Sequence, residues 1–457
     1  MKKALSFLSV LILAGCSFIP LYHRPAVQTP AWRGAQAAQA TNLAHWWQRF
    51  NNPELERLEK MALAQNLDIA AAAARIRQAR ADEAIAAAAL FPQADLSGNA
   101  SATPSKTAGQ STKYLSAASG SMSVSYELDL FGANRAAAAS ARASVQSSVF
   151  ARRTIALATA ASVADAYANV LTLRGRLSVA ESTRNSLQKT LRLIELRFKA
   201  GASSALEVEQ QKTEVANANA TIFALQDSYA VALDGLAVLV GEPPQTFQVK
   251  ADSLSSLHIP EIAPGQPSTL LERRPDIRQA EEDLIASNAD IGVARAAFFP
   301  SVNIGLAPSI TVSPLFSPAT ASLALTSALS APLFKGGGLE AGLAKSRARE
   351  KELAADYLKT VLTAFQETED ALANLKSAKK TERSYTDAVR SATKAYNLAE
   401  KQFKAGAIDY PTLLISQRSL YAAKDNLIAA ELGRFTAAVS LYKAVGGAWE
   451  QKTLLRE

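Results

Sequence analysis

Two stretches of this 457-residue chain are versions of one text. NLDIAAAAARIRQARADEAIAAAALFPQADLS at 66–97 and RPDIRQAEEDLIASNADIGVARAAFFPSVNIG at 274–305 align at an offset of 208 residues. Asp68 matches Asp276, Asp82 matches Asp290, and Phe91-Pro92 matches Phe299-Pro300. Farther on, ELDLFGANRA (127–136) stands where the second half has SAPLFKGGGLEA (330–341), and RFKAGA (197–202) returns as QFKAGA (402–407). Markers in one order and at matching spacing make the chain a duplication, so its fold is built from two like halves.

Gly and Pro placement sets the lengths of the elements. From Ala133 to Ala200 there is no Pro and one Gly, and the same holds from Leu339 to Ala405. Long helices are expected over 133–200 and 339–405, each reaching roughly 100 Å at about 1.5 Å per residue. Tyr385, Val389, Ala392, Tyr396, Ala399 and Phe403 form a seam stepping by four and three, and Leu187, Leu191, Ile194 and Phe198 repeat its end. Such a seam calls for a partner helix. Return helices over 202–240 and 407–445 would be about 58 Å long, and those over 66–90 and 275–297 about 35 Å. One of each in line nearly matches a long helix. Gly201 and Gly406 then sit where a helix ends on a left-handed residue.

Between the helical runs the period falls to two. Met122, Val124, Tyr126, Leu128 and Leu130 alternate with Ser and acidic residues, and Val302, Ile304, Leu306, Ile310 and Val312 share one face. Leu323, Leu325, Leu329 and Leu333 do the same, while QADLSGNASA (93–102) is carried by small residues. Strands are expected at about 91–103, 119–131, 299–313 and 321–334. The alternation suits a half-buried soluble sheet as well as barrel strands facing lipid. Four strands cannot close a membrane barrel, and an open edge in lipid costs several kcal/mol per unpaired group. Two, three or four copies would supply eight, twelve or sixteen strands.

The start of the chain favours the membrane. MKK followed by ALSFLSVLIL is a basic and then a short apolar region, a signal peptide over 1–15. It ends in LAGC, which resembles the lipobox of bacterial lipoproteins, with Cys16 as the acylated first residue of a lipidated segment 16–41. Cys16 is the only cysteine, so disulfides and thiolate metal sites are excluded. Ser17 follows rather than an inner-membrane retention aspartate, which directs the chain to the outer membrane. The formal charge of +8 is spread over alternating basic and acidic residues with no basic block, which argues against a nucleic-acid partner.

These residues resemble the TolC-like outer-membrane factors, specifically the lipoprotein branch serving tripartite RND-type efflux systems. The resemblance runs through CSFIPLYHRPAV, WWQRFNNPELERL, SYELDLFG, LLERRPDIRQAE, IGVARAAFFPS and LYKAVGGAW and covers nearly the whole chain. It implies an α+β membrane protein: a homotrimer whose four strands per chain make a twelve-stranded outer-membrane barrel, and whose long helices make a twelve-helix periplasmic tunnel. The first repeat would occupy 42–241 and the second 274–447. Segments such as 42–64, the linker 242–273 and the C-terminal tail 448–457 would form an equatorial belt. The implied function is passive exit of substrates delivered by an inner-membrane RND-type transporter through a periplasmic adaptor. The alternatives are a duct for type I protein secretion and a periplasmic coiled-coil lipoprotein with no pore.

The resemblance also places functional residues. The periplasmic constriction would follow the second AG turn, where relatives carry acidic residues three apart; here those positions are the neutral Thr412 and Ile415. Ile415 would make an apolar constriction. Asp409 is either a ring of carboxylates or a helix N-cap ahead of Pro411 at the first helical position. Arg418 could pair across helices to hold the end shut, and Gln417 lies beside it. The helix tips, with Lys199, Gly201, Lys404 and Gly406, would meet the adaptor. No enzymatic constellation stands out: His23, His45 and His258 lack zinc-like spacing, and there is no phosphate loop or nucleophile elbow. No cofactor is expected beyond a covalent lipid on Cys16.

Overall fold

The computed structural model describes residues 17–33, 45–105, 108–109, 113–250, 253–313 and 316–447. Cys16, the leader 1–15 and the tail 448–457 lie outside the described residues. Helices α1 (Pro53–Gln65) and α2 (Leu67–Ala88) lead to strands β1 (Gln93–Ser105) and β2 (Lys113–Leu128). The long α3 (Ala133–Lys199) and the return helix α4 (Ala205–Val240) complete the first half. The second half repeats the plan with α5 (Leu270–Arg273), α6 (Pro275–Ala296), β3 (Ser301–Ser313), β4 (Phe316–Ser330), α7 (Gly338–Lys404) and α8 (Tyr410–Ala444). Both long helices have 67 residues.

Two compact units result. The first comprises Met1–Val27, Ala74–Phe150 and Gln279–Lys359 and contains the sheet. Its four strands run in the order β1-β2-β3-β4, all antiparallel. The central seam joins the halves, pairing Leu128 with Val302, Tyr126 with Ile304 and Val124 with Leu306. That ladder is interrupted opposite Pro308, which has no N–H to give. Every residue of β4 from Thr320 to Ser330 is exposed, as is β1 from Gln93 to Pro104, so both outer edges stand open.

The strand ends differ from the alternation pattern. β2 runs 113–128 rather than 119–131. It starts early because Leu115 and Tyr114 pair with Thr103 and Pro104 of β1. It stops at Leu128 because Asp129 turns to cap α3, accepting from the Asn134 and Arg135 amides at 3.1 and 3.0 Å. β4 runs 316–330 rather than 321–334, and it stops two residues short of Pro332. The return helices begin at Ala205 and Tyr410, three residues later than 202 and 407, because Ser204 and Asp409 are their N-caps.

An extended N-terminal segment lies along α6 in this unit. Arg24 donates through Nε and Nη2 to the two carboxylate oxygens of Glu281 at 2.6 and 2.7 Å, and Asn288 donates to the Pro20 carbonyl at 2.8 Å. A Cβ on Gly292 would come within 2.8 Å of Ile19, so glycine permits this close approach. Phe18 stacks on Phe299 at 4.5 Å between ring centroids.

The second unit comprises Gln28–Ala73, Ala151–Arg278 and Thr360–Glu457. Its core gathers Trp46, Phe50, Leu55, Leu58, Tyr167, Phe435 and Tyr442, all fully buried. Trp46 stacks on Tyr442 at 5.0 Å and Phe50 meets Phe435 at 4.8 Å. The RRPD motif has a structural use here. Buried Arg274 donates to Asp276 at 2.6 Å and to the Ala444 carbonyl at 2.9 Å, and pairs with Glu367 at 2.7 Å. One guanidinium thus ties the start of α6 to α7 and to the last turn of α8.

Candidate functional site: the paired helix tips

The two FKAG phrases close their helices in the same way. Gly201 and Gly406 have φ of 74° and 75°, the left-handed region that residues with a Cβ avoid. Gly201 N–H donates to the Phe198 carbonyl at 2.9 Å, and Ala202 N–H to that of Arg197 at 2.7 Å. Gly406 and Ala407 repeat the pair onto Phe403 and Gln402 at 3.0 and 2.8 Å. Both are Schellman turns. Nothing lies within 4 Å of a Cβ built on either glycine, so φ and not space demands glycine there.

The return helices start with matching caps. Ser204 accepts from the Glu207 amide at 3.3 Å, and Asp409 accepts from the Thr412 amide at 3.1 Å. Asp409 is therefore the N-cap, and Pro411 is the second helical residue rather than the first, because α8 begins at Tyr410. The Thr412 hydroxyl and amide hold the exposed Asp409 carboxyl below its ordinary pKa. It stays an anion while serving as a cap.

Beneath the turns, Ile194, Val208, Ala399, Phe403, Tyr410 and Leu413 form a buried cluster that joins all four helices at the tip. The two halves diverge here: Phe403 is buried whereas its counterpart Phe198 is half exposed. Arg197 accounts for part of this difference. Its guanidinium lies 4.7 Å above the Phe403 ring and donates to the Phe403 carbonyl at 3.0 Å. Lys199 is exposed, and Lys404 pairs with Glu400 one turn back at 2.9 Å.

A polar chain lies behind the cluster. The Tyr410 hydroxyl donates to buried Gln211, whose amide donates to the Leu187 carbonyl. Burial, and then the nearby Glu214 carboxylate, push the Tyr410 phenol up to about 12. Gln417, also buried, donates to the Tyr421 hydroxyl at 3.1 Å. Arg418 pairs through two nitrogens with Glu214 of α4, so a cross-helix ion pair joins the two return helices. Neither Gln211 nor Glu214 stands out in the sequence; the only pointer is their place, seven and ten residues after the Ser204 cap.

Thr412 and Ile415 lie on the open face of α8. Ile415 is 65% exposed, an unusual setting for a branched aliphatic residue. Among the described residues no group of three or more His, Cys, Asp or Glu side chains could hold a metal ion.

Comparison with known proteins agrees with this architecture. The sequence profile of a family described as "Outer membrane efflux protein" matches residues 58–242 and 266–447. The pyoverdine export outer membrane protein OpmQ of Pseudomonas aeruginosa is 36% identical over 468 residues, spanning 98% of this chain and 97% of its own. The cation efflux system protein CusC of Escherichia coli is 30% identical over 461 residues, spanning 98% of this chain and 99% of its own. The open-state MtrE outer membrane channel of Neisseria gonorrhoeae, 27% identical, superposes with a TM-score of 0.83 over 94% of this chain and 98% of its own.

Proposed function

The chain belongs to the outer membrane efflux protein family, and from that premise we propose a specific working state for it. It is the outer-membrane channel of an efflux pump, one member of a family of ducts rather than of enzymes. In this reading three copies bring twelve strands into one barrel, and substrate passes through without chemistry. An adaptor and an RND-type inner-membrane transporter deliver the cargo, and the transporter supplies the energy. Cys16 carries the anchoring lipid, and no other cofactor enters.

The observation that carries this reading is the pair of open strand edges. β1 from Gln93 to Pro104 and β4 from Thr320 to Ser330 are exposed on both sides, while the ladders between them run on except for the break opposite Pro308 and a register shift between Thr311 and Ser313. Edges in lipid must find partners, and only further strands supply them. Membrane barrels of single chains begin near eight strands, so four per chain require copies.

The paired tips are the proposed periplasmic end. The turns at Gly201 and Gly406, with Lys199 and Lys404, are the surface offered to the adaptor. The exposed face with Thr412 and Ile415 narrows the duct, Asp409 places one anion per copy beside it, and the Arg418–Glu214 pair ties the return helices together. OpmQ is named for pyoverdine and CusC for cations. Relatives of one architecture with such different cargo support selection upstream of the duct.

Deletion of the gene, scored across drugs, dyes, siderophores and metal ions, reads out the cargo. Purified protein should run as a heat-modifiable trimer and carry current in planar bilayers. A strictly monomeric protein that passes no current overturns the reading.

A further inference from the structure

The trimeric barrel leaves one seam per copy that the chain itself does not contain: β4 of one copy against β1 of the next. The duplication supplies a template for it. Each half opens its sheet with a strand that follows Phe-Pro (Phe91-Pro92 before β1, Phe299-Pro300 before β3). Each half closes with a strand running into Leu-Phe and then a long helix (Leu130-Phe131, Leu333-Phe334). The β2–β3 seam therefore joins a closing strand to an opening one, and β4–β1 between copies is the same kind of junction.

Within the chain this junction carries an aromatic pair. Phe131 stacks on Phe299 with ring centroids 4.7 Å apart and planes at 23°. The two rings continue the ladder's register: Phe131 lies three residues beyond Leu128, and Phe299 three residues before its partner Val302. Their counterparts, Phe334 and Phe91, are 89% and 66% exposed. Neither stacks on another ring among the described residues. Leu333, Leu329, Leu325, Leu323 and Leu96 beside them are also far more exposed than apolar side chains normally are.

We propose, on the trimer reading, that Phe334 of each copy stacks on Phe91 of the next, and that this contact fixes the register of the seam. Leu329 then faces Leu96, Leu325 faces Ala100 and Leu323 faces Ala102. The interface is heterologous and closes by rotation. Side-chain parity supports it, because the β3–β4 ladder fixes the face of the three leucines, and a one-residue slip of the seam would set them opposite residues of β1 that point to the other face.

Barrel geometry narrows the choice further. The chain's own ladders carry Gln93 to Ser125, Ser125 to Gly305 and Gly305 to Thr326. In the proposed register Thr326 faces Asn99 of the next copy, a step of about six residues per copy, or a shear of about 18 over three copies. With about 3.4 Å per residue and about 4.8 Å between strands, that shear tilts twelve strands by ~47°, just past the upper end of the usual range for such barrels. Carrying Tyr126 of the Tyr126–Ile304 pair over by the 205-residue offset of the long helices (Ala133 to Gly338), rather than by the Leu-Phe markers, would instead set Leu96 against Ala331 and require a tilt of ~55°, well outside that range. The opposite shift, Leu96 against Ser327, is sterically open at ~35° but sets Phe334 against Ala89 and leaves both rings unstacked.

Cysteine cross-linking decides among the three registers, since Cys16 is the only native cysteine. Directly opposed residues have Cα atoms within disulfide range, about 4.5–5.5 Å, whereas positions two along lie beyond it at about 7–8 Å. Purified full-length trimers carrying Leu96→Cys with Leu329→Cys, Ala331→Cys or Ser327→Cys would be oxidised and run on denaturing gels without reductant. The 96/329 pair is expected to give the covalent trimer at several-fold the yield of the other two. The lumen-side pair Ser97→Cys with Ala328→Cys, of the same register, should match it. Dominance of 96/331 or 96/327, or no cross-link by any pair in an intact heat-modifiable trimer, overturns the register while leaving the trimer standing. Loss of the unmodified protein's trimer is the separate failure of the reading beneath it. Phe334→Ala should lower the temperature at which the trimer dissociates, and Phe334→Trp should restore it; equal melting of all three removes the aromatic contact.

Discussion

The Tyr410 hydroxyl donates to Gln211 Oε1 at 2.7 Å, and the Gln211 amide donates onward to the Leu187 carbonyl at 2.8 Å. Both side chains are buried, 1% and 0% exposed, so water cannot replace either bond. The pair therefore couples the first turn of α8 through α4 to the long helix α3. Tyr410→Phe keeps the ring and orphans the Gln211 oxygen, at a cost of about 1–3 kcal/mol per copy. The expected outcome is a lower melting temperature for the trimer and more frequent spontaneous opening in bilayers. A variant with wild-type melting and gating would show that this chain does not hold the tip.

The aliphatic side chain at the open face of α8 gives a prediction about ions. Ile415 brings no charge, and the nearest carboxylate on its helix, Asp409, is committed to capping Thr412. Ile415→Asp would add three carboxylates around the pore axis, where like-charged groups hold cations. Single-channel recordings should then show altered conductance and a stronger preference for cations. Unchanged conductance and ion preference would remove Ile415 from the constriction.

How much of this was legible before the fold was seen depends on the kind of interaction. The long helices follow from Pro-free runs and the turns from Gly201 and Gly406, because backbone freedom is a local property of sequence. Strand ends were less legible. Lys113–Ala118 belong to β2 without any alternation, since a partner strand and not a pattern recruits them. Asp129 looks like the last polar residue of an alternating run, yet its carboxylate caps the next helix. The site divides in the same way. Arg418 was visible as a charge, but its partner Glu214 lies 204 residues away and only packing reveals it. Phe198 and Phe403 read as equivalents, and their different burial comes in part from Arg197, which has Gln402 in its place in the second copy.

The glycine turns give a test that separates conformation from contact. Gly406 has a φ of 75° with open space around its missing Cβ. Gly406→Ala should destabilise by about 1–2 kcal/mol per copy from left-handed strain alone. Gly406→Asn should cost less, since Asn tolerates that region better. The comparison is read as thermal dissociation of the trimer. If Ala and Asn behave alike, strain is not what the glycine relieves. The same substitutions at Gly201, with a φ of 74°, should rank identically.

A last prediction concerns pH, and it comes from a residue far from the tips in sequence. Glu59 lies on the inner face of α1 with 0% exposure, and among the described residues neither of its carboxyl oxygens has a hydrogen-bond partner. Burial pushes its pKa well above the ordinary carboxylate value. A folded pKa above the unfolded one means that folding favours the protonated group. The stability this group permits is fully present below the unfolded pKa, near 4.5, and is lost as pH rises toward the folded pKa. Asp165, raised by burial to about 6, works in the same direction, so wild type alone does not isolate Glu59. Glu59→Gln does, because it removes one titration and keeps the shape. The variant should melt above wild type at pH 8, and the gap should shrink steadily as pH falls and vanish below about pH 4.5. A gap that stays constant from pH 8 to pH 4 would mean that Glu59 keeps its charge in the folded protein, with a partner supplied by the assembly.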